Sequence, residues 1–450
     1  MKLFSFESIY KSKESGARLG VIHTPHGDIK TPAFVPVGTQ ATVKSLTPEE
    51  VKDLGTQLYF VNTYHMYLRP GIEIIKKMGG LHNFMHWDRP LITDSGGFQV
   101  FSLAKNSSPG RGADVADENL DPSSIRSRNN HESLHPVGSR SQVKPEKILS
   151  SLRANGSLVK ISEDGVEFRS HWDGSKHIFT PEYSMGWQWD LGADIHIAFD
   201  DCTPYPVTHE KAQASLERTH SWAVRSLKAH KALSSKFMVH GKTKKRTSMN
   251  DEQTTMNNYQ ALYGSVQGSV YEDLRKKSAR FLAGMDFDGF AVGGVSVGES
   301  KKEMRDAMNW VVPLLPDDKP RHLLGVGEVD DIFALIEAGI DTFDCVQPTR
   351  LARMGWLLVP HELSPSFSLD ITKAVHAGDM RPVDSSCTCY TCRTFTRAYI
   401  HHLFHVRELL GYRLSTIHNI HFMHTLVASI RDAIGRNEFL DLRRRWLYNR

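Results

Sequence analysis

Cys387, Cys389 and Cys392 crowd into one short stretch of a chain that holds five cysteines in all. A Cys-x-Cys-x-x-Cys spacing suits chelation of a single metal ion better than disulfide pairing, and it points to a reducing compartment. One imidazole would close a tetrahedral shell with no open position, which describes a structural zinc rather than a catalytic one. His418 is the favoured fourth ligand: it is expected to open a new helix after Ser415 and Thr416 and to turn its ring back toward the thiols. His401, His402, His405, His421 and His424 compete for the role. A second set of residues is scattered along the chain: Asp94 in LITDSGGFQVFS, Asp200 in IHIAFDDCTPYP and Asp344 in DTFDCVQPTR. Each sits in or behind an apolar run, where a carboxylate is costly unless it is paired or used. Gln267 in YGSVQGSV adds an amide, and Gly293 and Gly294 in FAVGGVSVGE let backbone N–H groups approach a ligand closely. Asp200 would accept from the ring and exocyclic N–H groups of a planar heterocycle, while Gln267 and the Gly294 amide donate to its carbonyl oxygen.

These residues work together only if the fold gathers them. Short β-branched or aromatic runs alternate with stretches of helical period, the pattern of parallel α/β architecture. Strands are expected at Ala33 to Val37, Leu58 to Asn62, Leu91 to Asp94, Asp194 to Asp200, Leu262 to Gln267, Gly289 to Gly293, His322 to Val326 and Thr342 to Val346. That set is what a closed (β/α)8 TIM barrel requires, and in such a barrel catalytic groups project from the carboxyl ends of the strands. Helices are expected at Pro48 to Leu54, Glu210 to His230, Val270 to Met285, Lys301 to Leu315 and Val329 to Ala338, and beyond the cysteines at Thr394 to Tyr412 and Ile417 to Glu438. For one aspartate alone, a helix cap or ion pair is an equally good reading. Three at a single barrel mouth weaken it.

The organisation that follows is a catalytic barrel over 1–380 and a zinc-binding subdomain with the C-terminal helices over 381–450. Two polar stretches, 106–144 and 233–258, have little to bury and read as surface insertions. With 450 residues, 40% hydrophobic and 24% charged, the chain is an ordinary globular enzyme in composition. No apolar run approaches the roughly 20 residues of a membrane span, and the amino terminus lacks a signal-peptide core, so a cytoplasmic location is expected. The formal net charge of +4 means that nucleic acid would have to be met by a local basic patch. A metal-dependent barrel hydrolase, suggested by Asp194 and His196, is the first rival reading. It lacks converging strand-end histidines.

Taken together, DSGGFQVFS, FDDCTPYP, VQGS, AVGGVSVGE, LLGVGE, FDCVQPTR and the cysteine cluster with its distant histidine resemble the bacterial type of tRNA-guanine transglycosylase, in the queuine/archaeosine tRNA-ribosyltransferase family. The resemblance runs over most of the chain outside the polar insertions, and it implies the same barrel with its zinc subdomain. By motif, Asp344 matches the nucleophile that attacks C1' of the wobble guanosine, and Asp94 the general acid/base. Asp200 and Gln267 match base-reading side chains, Gly293, Gly294 and Val295 supply backbone contacts, Phe98 and Leu324 with its neighbour Gly325 flank the base, and Cys202 lines the pocket. Arg350 and Arg353 match arginines that contact uridines flanking the target; apart from the motif match, Arg393, Arg397 and Arg413 of the zinc region are candidates for the RNA backbone, with a solvated helix face the commoner reading of any one of them. Phe98, Leu324 and Val295 stand where tyrosine, methionine and leucine are usual, so stacking is kept while pocket shape changes. The implied incoming base is 7-aminomethyl-7-deazaguanine, with queuine the alternative that Val295 keeps open. The implied partners are tRNAs for Asp, Asn, His and Tyr with GUN anticodons, and a second copy of the chain in a homodimer. A non-catalytic paralogue is the second rival, disfavoured by retention of both Asp94 and Asp344.

Overall fold

A computed structural model describes residues 4–100, 159–170, 172–243 and 259–448. Eight parallel strands form one sheet: β1 (Ala33–Pro36), β2 (Tyr59–Val61), β3 (Leu91–Thr93), β4 (Ile195–Ile197), β5 (Ala261–Val266), β6 (Gly289–Val292), β7 (Arg321–Leu323) and β8 (Thr342–Cys345). Consecutive strands pair in register from β2 round to β8, β8 pairs with β1, and a parallel bridge between Val37 and Phe60 joins β1 to β2. The ring is therefore a (β/α)8 barrel, with all eight carboxyl ends at one mouth.

Side-chain alternation decides which residues enter that ring. Ala33, Val35, Phe60, Ile92, Ile195, Ile197, Tyr263 and Ala291 fill the interior. Phe34, Leu262, Phe290, Leu323 and Phe343 lie in the outer core with the surrounding helices. Successive side chains of a strand face opposite ways, so at the ends of β2, β3, β5 and β6 the residues two along from the interior set keep the same face. Those are Asn62 after Phe60, Asp94 after Ile92, Ser265 and Gln267 after Tyr263, and Gly293 after Ala291. Asp344 is in register with Val35 and shares its face. A three-stranded antiparallel sheet, Ser5–Lys11, Arg18–Thr24 and Gly27–Thr31, contributes Ile22 and Ile29 to the same interior core.

Several expectations change. The helix expected to stop at His230 spans His209–Thr243, so the polar stretch from Leu233 is helical at least to Thr243; it holds no proline to end the helix. The rest of that stretch, 244–258, and the expected insertion at 106–144 lie outside the described residues. Beyond the cysteines, a short helix Arg397–His405 ends where Arg407 adopts a left-handed φ of 61°, and a 27-residue helix begins at Leu409 and runs to Gly435. Ser415 and Thr416 therefore cap nothing. Both are buried within this helix, and the Thr416 hydroxyl donates back to the Tyr412 carbonyl.

The chain divides into two compact units. One comprises Met1–Gly96 with Pro181–Arg450, so the barrel and the cysteine region belong together; the other is Gly97–Thr180 and carries the antiparallel strands Val159–Ile161, Val166–Arg169 and Lys176–Phe179. Among the described residues no helix is long and apolar enough to cross a membrane.

Buried histidines make this fold acid-sensitive. His196 lies on the outer face of β4 against Trp189 and His230, and burial pushes it well below its usual value. Burial also takes His230 and His220 down to about 4 and His424 to about 3. As pH falls from about 6.5 toward 4, the unfolded chain takes up protons that the native chain refuses. Stability is thus full above the unfolded value and is lost through this window, by on the order of a few kcal/mol for each deeply buried ring. The urea midpoint is expected to drop markedly between pH 7 and pH 5, and His196→Leu to make that drop smaller; a midpoint flat across the window contradicts this.

Candidate active site and metal centre

Asp94 follows β3 and is held by the end of β2. Its Oδ2 accepts from Asn62 Nδ2 at 2.6 Å, its Oδ1 from the Thr63 amide at 2.7 Å, and the Thr63 hydroxyl donates to the Asp94 carbonyl at 2.6 Å. The next residue reaches the other way: Ser95 Oγ donates to Asp200 Oδ1 at 3.0 Å. Asp200 Oδ2 takes Ser265 Oγ at 2.9 Å and Gln267 Nε2 at 2.6 Å, both from β5 and its end. Burial pushes the Asp200 carboxyl up, against the pull of those donors, so this acid is poised to gain from further N–H donors.

The contacts continue round the mouth. A Cβ placed on Gly293 would meet Gln267 Nε2 at 2.7 Å and Leu324 Cδ1 at 3.5 Å, and one on Gly294 would meet Gln267 Oε1 at 2.1 Å. A side chain at either position would push the Gln267 amide away from Asp200, and Gly294 also has a left-handed φ of 62°. Gly325, after β7, donates its amide to Asp344 Oδ1 at 3.2 Å, and His322 Nε2 lies 3.1 Å from the same oxygen. Hydrogen bonds thus run from Ser95, next to Asp94, to Asp200 and Gln267, and from Gly325 to Asp344, with Gly293 close to both the Gln267 amide and the Leu324 side chain. Asp94 and Asp344 are each 7 to 8% exposed, so both are sheltered yet touch solvent at the mouth.

Val295 and Cys202 are buried next to Gly294 and Asp200 in sequence. Phe98 belongs to the Gly97–Thr180 unit and is 37% exposed. Arg350 and Arg353 lie on the helix Gln347–Arg353 that follows β8, both half-buried, with Arg353 donating to the Thr349 carbonyl at 3.0 Å. Arg397 is not on the surface where RNA contact was expected of it. It is buried, donating to the Val383 carbonyl at 2.7 Å and pairing with Asp379 at 3.2 Å, so it faces no RNA. Asp194 precedes β4 at the opposite end of the barrel, bonded to His26 at 2.7 Å and the Leu91 amide at 2.9 Å, and His196 faces away from the interior. Asp194 does meet His26 and His82 there, but His196 takes no part and the group lies away from the carboxyl-end mouth, so the hydrolase rival is not supported at that mouth.

Four residues that sequence reasoning passed over organise the mouth. Asn62 and His322 hold the two carboxylates. Glu299 accepts from the amides of Ser296 and Val297. Arg275, fully buried, donates to the carbonyls of Gly293 at 2.7 Å, Gly294 at 2.8 Å and Ser269 at 2.6 Å, and so fixes the β6 loop. Asn62 and His322 occupy inward positions of strands already recognised, so strand period could have found them. Arg275 sits on a helix and gave no such signal.

The cysteine region also forms a site. The sulfurs of Cys387, Cys389 and Cys392 lie 3.7, 3.6 and 3.3 Å from His418 Nδ1, and the four ligand atoms lie within 4.8 Å of one another. A tetrahedral ion with metal–sulfur bonds of about 2.3 Å and metal–nitrogen bonds of about 2.0–2.1 Å has sulfur–nitrogen edges of roughly 3.6 Å, so the residues fit one. His418 Nε2 bonds the Leu358 carbonyl at 2.7 Å, which places the ring hydrogen there and leaves Nδ1 as ligand. The rivals fall away: His424 bonds Thr56, His401 bonds the Ile371 carbonyl, and His421 Nδ1 comes within 3.6 Å of Cys387 alone among the sulfurs. His418 reaches the thiols from the middle of the long helix, not from a helix start.

The model of the family described as queuine tRNA-ribosyltransferase matches residues 12–149 and 145–450. The chain is 43% identical over 442 residues to a queuine tRNA-ribosyltransferase of Desulforudis audaxviator, covering 98% of this chain and 97% of that relative. It is 44% identical over 439 residues to one of Pelotomaculum thermopropionicum, covering 98% and 96%. One of Roseiflexus sp. is 43% identical over 443 residues, with 98% and 99% covered. Near-complete alignment over a barrel with these carboxylates and this cysteine site leaves one conclusion: the chain belongs to the queuine tRNA-ribosyltransferase family of tRNA-modifying enzymes.

Proposed function

We propose that this enzyme exchanges the wobble guanine of GUN-anticodon tRNAs for 7-aminomethyl-7-deazaguanine by two displacements on one ribose carbon. The observation that carries the reading is that Asp94 and Asp344 stand at strand ends of one barrel mouth, with the Ser95–Asp200–Gln267 hydrogen bonds beside the first and the Gly325 amide on the second. Asp344 attacks C1' as the C1'–N9 bond breaks, and Asp94 gives a proton to the departing guanine. The incoming base then loses its N9 proton to Asp94 as N9 attacks C1' and releases Asp344. Two inversions retain the anomeric configuration. Asp200 accepts from the base's N–H groups, and the second Gln267 N–H and the Gly294 amide donate to its carbonyl. Val295 adds a backbone contact, Phe98, Leu324 and Gly325 flank the ring, and Cys202 lines the pocket. Arg350 and Arg353 take the neighbouring uridines. The tRNAs are those for Asp, Asn, His and Tyr, the setting is the cytoplasm, and the working form is a homodimer. The barrel over 1–380 carries the chemistry and 381–450 the metal.

Exchange of labelled guanine into tRNA, with each deazaguanine as competitor, tests this reading. The assignment requires exchange, blocked more strongly by the aminomethyl base than by queuine; an inert enzyme sinks it, and the reverse order moves the substrate to queuine.

The metal is zinc, held by Cys387, Cys389, Cys392 and His418, and its part is to cross-link the helix Leu409–Gly435 to the cysteine loop. Cys392→Ser is expected to lower zinc content from one per chain to well below half and to lower the thermal midpoint by several degrees. Full zinc retention, or zinc loss with no change in melting, contradicts the structural role.

A further inference from the structure

We propose that His322 is a positioning residue for Asp344, fixing which carboxylate oxygen attacks the ribose; the inference rests on the reading of Asp344 as nucleophile. His322 is the middle residue of β7 and is fully buried, its ring near-parallel to that of Phe60 at 6.1 Å and 18°. Its Nε2 lies 3.1 Å from Asp344 Oδ1 and its Nδ1 2.9 Å from Thr342 Oγ1. An ionised carboxylate only accepts, so Nε2 carries the hydrogen in that pair. Nδ1 is then an acceptor, and the Thr342 hydroxyl donates to it. The result is a directed line from Thr342 O–H to Nδ1 and from Nε2–H to Asp344 Oδ1.

The same Oδ1 also receives the Gly325 amide at 3.2 Å, whereas Oδ2 has no hydrogen-bond partner among the described residues. The two oxygens of the nucleophile are therefore unequal. Two donors anchor Oδ1 and set the carboxylate plane, which removes rotation about Cβ–Cγ, and Oδ2 keeps its lone pairs for C1'. Fixing an attacking atom in this way is a rate effect, and a small misplacement costs on the order of 100-fold. The donors serve the second displacement as well. In the ribosyl ester Oδ1 is the carbonyl oxygen, and as the C1'–Oδ2 bond breaks, charge returning to the carboxylate is shared with an oxygen already facing two N–H groups. The polar groups that read the base lie on the β4 to β6 side of the mouth, and Leu324 and Gly325, which flank its ring after β7, are left in place by a change at His322.

Two substitutions separate the hydrogen bond from the ring's bulk. His322→Phe keeps a planar ring against Phe60 and deletes both nitrogens; His322→Gln places an amide N–H near the position of Nε2. Guanine exchange at saturating tRNA is expected to lose about 10- to 100-fold in kcat in His322→Phe, with the KM for guanine within about twofold of wild type. His322→Gln is expected to recover most of that loss. A His322→Phe rate within twofold of wild type overturns the proposal, as does a His322→Gln enzyme no faster than His322→Phe, because a restored N–H donor would then restore no rate. Should His322→Phe fail to fold, Thr342→Val removes only the hydroxyl that directs the tautomer, and an unchanged kcat there overturns the proposal too. Asp344→Asn assayed alongside distinguishes the failures: an adduct that survives it refutes the nucleophile, whereas a lost adduct with normal His322→Phe kinetics refutes only the role of His322.

Discussion

Asp344→Asn is expected to reduce guanine exchange by at least about 10,000-fold and to abolish any tRNA adduct that survives denaturation. The substitution is close to isosteric. An asparagine oxygen in the place of Oδ1 can still accept from His322 and Gly325, at the 3.1 and 3.2 Å contacts that the carboxylate makes now. What changes is the other atom, where an amide NH2 replaces the oxygen that would bond to C1'. The variant should therefore melt within a few degrees of wild type and still bind tRNA, so that loss of rate reports chemistry and not unfolding. The adjacent Cys345 offers no substitute nucleophile: burial pushes its thiol up to about 12, keeping it protonated and unreactive. Exchange within tenfold of wild type contradicts the assignment.

Asp94→Ala is expected to keep tRNA affinity within a few fold while losing about 100- to 10,000-fold in turnover, the range of a general acid/base. Its carboxylate is distant from C1' in role: it moves protons on the base, and ribose or phosphate contacts do not need it. The removal has a structural cost, because Asn62 Nδ2 and the Thr63 amide lose their acceptor, and each orphaned buried donor costs about 1–3 kcal/mol. Melting is thus expected to fall more than in Asp344→Asn, and filter binding of tRNA at low temperature keeps the two effects apart. Unchanged turnover refutes the acid/base role.

Strand period made the barrel legible from sequence. All eight expected strands occur, each within a few residues of its expected ends, because an apolar run bounded by polar residues is a local signal. The carboxyl-end aspartates followed, since a strand's end is where the apolar pattern stops. What eluded the sequence depends on distance. The helix that holds His418 was expected to begin at Ile417, because Ser415 and Thr416 look like caps; only packing against Leu358 and the cysteine loop shows them inside a longer helix. The N-terminal sheet has no chemistry to mark it. Arg397 read as a surface cation until Asp379, eighteen positions earlier, was found beside it. Arg275 was invisible because its partners are backbone carbonyls of another element, which no side-chain pattern encodes.

Incubating the wild-type enzyme with a GUN-anticodon tRNA and no free base, quenching in denaturant and mapping the RNA-bearing peptide by mass spectrometry bears most directly on the double displacement. The expected product is one ribosyl ester on Asp344, released when guanine is added back before the quench. An adduct on another residue, or exchange that proceeds with no adduct at any time, contradicts it.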